Sequence, residues 1–184
     1  MTKRKPPTIL SLCDYSGNWP KPYRDAGYNI IQVDLLHGQD VRLLEKPKGR
    51  IHGVLAAPPC TMFARCGARW PRTDQQMIDG LSIVDACLRL IIACDPEWWV
   101  LENPIGKLSR YLGKPTMYFD PCDYGDPYTK RTALWGSFNT NLPQTPVPPV
   151  EGSRMHNLPD SKGRALKRSL TPMGFAEAFM AANP

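Results

Sequence analysis

The chain has 184 residues, 42% of them hydrophobic, with a formal net charge of +6 and a pI near 9.1. That length suits one compact domain with its own core, and no apolar run is long enough to cross a bilayer. The positive balance leans toward an anionic partner such as nucleic acid or a nucleotide. The basic start "MTKRKPP" has no apolar stretch behind it, so the expectation is a cytoplasmic protein rather than a secreted one.

In chain order, "TILSLCDYS" (Thr8 to Ser16) reads as a strand entering a loop, and "KPYRDAGY" as a short helix closing at Gly27. "NIIQVDLL" (Asn29 to Leu36) and "IHGVLAA" (Ile51 to Ala57) read as two further strands. Met77, Ile78, Leu81, Val84, Leu88 and Ile91 recur at helical spacing and predict a helix from Asp74 to Cys94. "EWWVLENP" (Glu97 to Pro104) is a fourth strand and "TALWGSF" (Thr132 to Phe138) a fifth. From Asn139 to Arg168 the chain is rich in Pro, Gly and polar residues without a period, which predicts a long loop or ordered arm. "LTPMGFAEAFMAANP" then starts a helix, with Thr171 as N-cap and Pro172 at the first helical position. The expected division is therefore a core over 1–138, an arm over 139–168 and a returning helix over 169–184.

Six cysteines, at 13, 60, 66, 87, 94 and 122, form no Cys-x-x-Cys pair, and His37, His52 and His156 are scattered. No metal site is indicated, and reduced thiols in a reducing compartment are the simpler reading.

Strands alternating with helices predict an α/β fold with a doubly wound, mostly parallel sheet. Ligands of such sheets sit beyond the carboxyl ends of the strands. The loops on that edge carry Ser16 and Gly17, Asp34, Pro58 to Cys60, and Glu102 with Asn103.

"APPC" is the stretch with the clearest chemical content. Pro58 and Pro59 stiffen the loop and hold the next side chain in one place, which benefits a nucleophile. A lone cysteine in a turn is otherwise read as a small hydrophobe. Glu102 changes the balance, because a carboxylate at the end of the apolar "WWVL" is costly unless it is paired or stays protonated. A thiol and a proton-bearing carboxyl on neighbouring strand ends make a working pair, with a capping role for Glu102 and Asn103 as the alternative.

"ILSLCDYSG", "APPCTMF", "VLENP" and "YGDPYTKRT", in that order, resemble successive motifs of the DNA cytosine-5 methyltransferase family. The resemblance runs from about Ile9 to Trp135, with a weaker echo in "RSLTPMGF", and the compact form is similar to methyltransferases of phage genomes. It implies the Rossmann-like class I fold and S-adenosylmethionine as cofactor. In chemical terms it implies that Cys60 adds to carbon 6 of cytosine while Glu102 protonates N3. A carboxylic acid can donate to N3 and accept from the 4-amino group, which favours cytosine over uracil. Asn103 beside it is a further substrate contact.

On the cofactor side, the resemblance places Tyr15 and Pro58 against adenine and Ser16 and Gly17 near the methionine moiety. It places Asp34 on the ribose and Asp40 on the adenine amino group, with a turn role as the alternative for both. Asn18 and Trp19 depart from the family's Gly-rich turn, Cys13 replaces its usual Asp, and the short gap between Asp34 and Asp40 suggests a lost helix. The family's Gln-x-Arg-x-Arg pattern falls on "YTKRT", so Arg131 is the first candidate for the cation that holds the base, with Lys130 close behind. "ARCGARWPR" resembles the mobile loop that closes over a nucleotide, with Arg65, Arg69 and Arg72 on phosphates, or else a solvated basic loop.

The family carries a target-recognition domain where this chain has only the Pro-rich arm, with Arg154, His156, Lys162, Arg164, Lys167 and Arg168. Three functions follow as expectations. One is a compact DNA cytosine-5 methyltransferase with short or relaxed recognition. Another is the same chemistry on a free cytidine nucleotide or a single strand, which needs no base flipping. The last is a non-catalytic nucleic-acid-binding or cofactor-sensing relative.

Overall fold

The computed structural model describes residues 5–67, 69–154, 157–159, 161 and 163–184; His156 and Lys162 of the arm lie outside them. Six strands form one sheet: β1 (Thr8–Leu12), β2 (Asn29–Val33), β3 (Gly53–Ala56), β4 (Trp98–Pro104), β5 (Met117–Phe119) and β6 (Thr132–Ser137). Their order is β2-β1-β3-β4-β6-β5. The first four run parallel, and β6 is antiparallel to both β4 and β5. The sheet is therefore mixed, with one strand more than the sequence suggested. Strand β5 escapes a periodicity reading because three residues at an edge carry too little pattern.

Alternation along the central strands builds two cores. Leu10, Val54 and Leu101 face α2 (Asp74–Cys94), meeting Val84, Cys87 and Leu90. Ile9, Leu55 and Val100 point the other way, toward α1 (Lys21–Asp25) and α5 (Met173–Ala182), where Trp19, Tyr23, Phe175 and Phe179 are fully buried. A strand covered on both faces must be apolar at every position, which is why β3 reads as an unbroken apolar run.

The α2 bounds match the sequence reading because its start is chemically marked: the Thr73 hydroxyl accepts from the Gln76 N–H, and the Gln76 side chain accepts from the Thr73 N–H. Two corrections concern the C-terminal part. Pro172, with ψ 134°, is itself the N-cap of α5, so the helix begins one residue later than expected and Thr171 does not cap it. The arm is not all loop either: beyond α3 (Ser109–Leu112), which follows β4, Arg164–Ser169 forms a short helix, α4, from good helix formers. Between Asp34 and Asp40 no α-helix forms; the chain turns through the 3₁₀ segment Leu35–His37, and a second one, Val41–Leu43, follows Asp40.

Helix α5 docks through Gly174, where an added Cβ would lie 1.8 Å from the Tyr124 carbonyl oxygen. Gly174→Ala is expected to destabilise the fold by about 1–3 kcal/mol through overpacking. The check is a thermal melt, with Tm lowered by roughly 3–10 °C.

Candidate active site

Because β1 to β4 are parallel, their carboxyl ends open on one edge, and a cavity of about 810 Å³ lies there. Its lining unites Tyr15, Ser16, Asp34, Asp40, Pro58, Cys60, Arg69, Arg72, Glu102 and Lys130. Gly17, Asn103, Arg65 and Arg131 do not line it.

The loop after β1 is organised by Asp14, which the sequence reading passed over. Its buried carboxylate accepts from the Ser11 hydroxyl (3.1 Å), the Ser16 hydroxyl (2.9 Å) and the Gly17 N–H (2.9 Å). The signal was present: the Asp of Asp14-Tyr15-Ser16-Gly17, directly after a strand and shortly before Ser and Gly, marks an Asx-type turn. Gly17 serves the turn at φ +66°, where a Cβ would also press on Gln32.

After β2, the two acidic residues both cap turns and line the cavity. One Asp34 oxygen accepts from the Leu36 N–H at 2.8 Å. Asp40 accepts from the Arg42 N–H and is gripped by the Arg42 guanidinium at 3.0 and 3.1 Å. Those hydrogen bonds hold the Asp40 carboxyl below the ordinary carboxylate range. Tyr15 lies against His37, with ring centroids 5.2 Å apart.

The stiff loop after β3 is held from the neighbouring strand. Asn103, fully buried, donates from Nδ2 to the Pro58 carbonyl at 2.9 Å. That makes it a positioning residue for the loop rather than part of the cavity wall. The Cys60 carbonyl accepts from the Phe63 and Ala64 N–H groups at 2.9 and 2.8 Å, turning the chain directly after the thiol. The next residues are laced to the segment after β4: Arg65 N–H donates to the Ile105 carbonyl (2.9 Å) and Lys107 N–H to the Phe63 carbonyl (2.7 Å). Only glycine fits between them, since a Cβ on Gly106 would sit 1.9 Å from the Phe63 oxygen. The start of "ARCGARWPR" is thus pinned, and Arg72 reaches back to the Thr61 carbonyl at 3.3 Å.

Glu102 lies within β4, paired with Leu134 of β6, and is largely buried. Burial raises its carboxyl above the ordinary 4.5, while nearby Lys130 pulls in the opposite direction. Lys130 lines the cavity; Arg131 instead pairs with Asp120 (3.2 Å) and lies over Tyr118 (5.3 Å). Adjacent residues entering β6 diverge, and Asp120 captures the guanidinium.

Helix α4 closes one side of the cavity with Arg164, Leu166 and Arg168. Lys167 is not among the lining residues.

No family model matches the chain, and no curated protein matches it. Among solved structures, it is similar to a protein described as a candidate DNA modification methyltransferase encoded within an E. coli prophage. The TM-score is 0.50 at 16% identity, over 76% of this chain and 49% of the other. The chain thus spans about half the length of that protein. At this identity the likeness is one of fold alone.

Proposed function

We propose that this protein methylates carbon 5 of cytosine in DNA, with S-adenosylmethionine as methyl donor and a transient covalent bond from Cys60. The observation that carries the reading is one cavity lined at once by Cys60, Glu102 and Lys130 and by Tyr15, Asp34 and Pro58. A DNA modification role described for a protein of similar fold is consistent with it.

The residues suit the cofactor. Tyr15, Leu35 and Leu36 line the cavity yet are 45%, 68% and 61% exposed, apolar faces of the kind an adenine ring covers. The second Asp34 oxygen has no partner among the described residues, which suits a ribose hydroxyl. Tyr15, Asp34 and Pro58 would hold the nucleoside, with Ser16 and the Gly17 turn beside the methionine moiety. Asp40, its carboxylate oriented by Arg42, would accept from the adenine amino group. When bound, S-adenosylmethionine supplies an electrophilic methyl group on a sulfonium sulfur.

The remaining chemistry belongs to the chain. The Cys60 thiolate forms a bond to carbon 6 of cytosine, and the displaced electron pair enriches carbon 5. Glu102, whose carboxyl burial shifts toward the protonated form, gives its proton to N3 and so neutralises the ring as the sulfur adds. Once carbon 5 carries the methyl group, its own proton leaves to water. The carbon–sulfur bond then breaks, Cys60 departs as thiolate, and N3 returns its proton to Glu102. Lys130 would supply positive charge beside the base, and Arg69 and Arg72, which line the same cavity, would meet a phosphate.

The acceptor has a second reading, a single strand or free cytidine nucleotide, favoured by α4 standing at the cavity wall. The test is transfer of labelled methyl from S-adenosylmethionine to duplex DNA, single-stranded DNA, RNA and deoxycytidine monophosphate in parallel. Label at carbon 5 of cytosine in DNA is the expected result. Label in the mononucleotide alone would replace the polymer by the nucleotide, and no label anywhere would overturn the enzyme reading.

A further inference from the structure

A second pocket, of about 380 Å³, lies beside the first and is not explained by the chemistry above. Three segments supply both. Residues 60–65 place Cys60 in the large cavity and Arg65 in the small one. The chain leaving β4 places Glu102 and Pro104 in the first and Lys107 in the second. The chain entering β6 places Lys130 in the first and Ala133 in the second.

The small pocket has a distinct composition. Arg65, Lys107 and Arg110 line it, and no carboxylate does. None of the three takes part in an ion pair among the described residues. Like charges gathered without counter-charge repel one another, and an anion is what such a group binds. The fourth element is Tyr118, 41% exposed on edge strand β5, with Arg131 over its ring at 5.3 Å. Cations beside a partly exposed aromatic ring are the components of a single-strand platform: the charges take the phosphate and the exposed side of the ring takes an unstacked base. In a duplex that base face is already covered.

We propose that this pocket is a strand-binding subsite for single-stranded DNA, seating a nucleotide next to the one in the main cavity. The role of neighbour to the target base rests on the methyltransferase reading; the binding itself does not. The lacing of Arg65 to Ile105 and of Lys107 to Phe63 makes the spacing between the two pockets rigid.

The experiment uses the full chain and a fluorescein-labelled oligothymidylate of about 12 nucleotides, within the range of single-strand site sizes. It has no cytosine and needs no methyl donor. Affinity is read by anisotropy across a salt series. Lys107→Ala/Arg110→Ala is expected to weaken binding at least about tenfold at low salt and to reduce the log–log salt slope by roughly 1.4, two lost single-strand phosphate contacts. Tyr118→Ala is expected to weaken it about 5- to 100-fold with the slope unchanged, because stacking releases no counterions, while Tyr118→Phe binds as the parent does. All these side chains are at least partly solvent-accessible, and a thermal melt checks that each variant is folded.

An unaltered affinity and slope in the double variant would overturn the subsite. So would an equal loss on blunt duplex and single strand for Tyr118→Ala, because no base face is open in the duplex. Methyl transfer that fails while these binding changes appear would remove the enzyme reading and leave the subsite standing. Methyl transfer to DNA with unchanged binding in the variants would remove only the subsite.

Discussion

Cys60→Ser is expected to abolish methyl transfer, with turnover reduced by about four orders of magnitude or more, while S-adenosylmethionine still binds. A serine hydroxyl is hardly ionised near neutral pH and is a poor nucleophile toward carbon 6 without a base, so the step that activates carbon 5 is lost. The cofactor contacts proposed above come from the loops after β1 and β2 and from Pro58, none of which the substitution changes. The loop itself should hold its shape, because it is held through backbone groups: the Pro58 carbonyl on Asn103 and the Cys60 carbonyl on Phe63 and Ala64. Labelled-methyl transfer and calorimetric titration of the cofactor check the two halves separately. Turnover at the parent rate would remove Cys60 as nucleophile, and with it the covalent mechanism.

Glu102→Gln carries the second large effect, and it has opposite signs for activity and stability. A positioned general acid contributes roughly 10²–10⁴-fold, and an amide cannot give up a proton, so methyl transfer should fall by about that factor. Stability should move the other way. Burial raises the carboxyl above its ordinary 4.5 in the folded chain, so the folded state favours the protonated form. The stabilisation this gives is present below the unfolded value and is lost as pH rises through the folded value. Above that window the folded protein must either carry a buried charge, partly offset by Lys130, or hold a proton that the solvent would take. A neutral glutamine removes that penalty. Thermal melts across pH should therefore show Glu102→Gln with a higher Tm than the parent at neutral pH and a flatter decline above the ordinary carboxyl value. Loss of activity without that gain would mean that Glu102 is not held in its neutral form by the fold.

The elements most legible in the sequence are those whose residues carry their own signal. Helix α2 was readable at both ends, because helical spacing of apolar residues meets a Thr-x-x-Gln cap at its start. The apolar runs of β1 and β3 follow from burial on both faces. That Cys60 and Glu102 line one cavity was readable in outline, since parallel strands must open their loops on one edge. Strand β5 and helix α4 were not, being too short for a period to show.

The same contrast runs through the candidate site. From sequence alone came the residue types and their order: two prolines before a thiol, a carboxyl closing an apolar strand, and acidic residues after the second strand. These are local facts, set by backbone restriction and by the cost of burying charge. Which of two adjacent cations faces the cavity follows from Asp120, a residue that the β5–β6 pairing brings beside Arg131, which it holds, while Lys130 lines the cavity. Asn103 became a strut for the Pro58 loop only because β3 and β4 lie side by side. The small cationic pocket likewise exists only where residues 60–65, the end of β4 and strands β5 and β6 meet. Local propensity acts along the chain, whereas partner choice for a side chain depends on distances that only the packed sheet establishes.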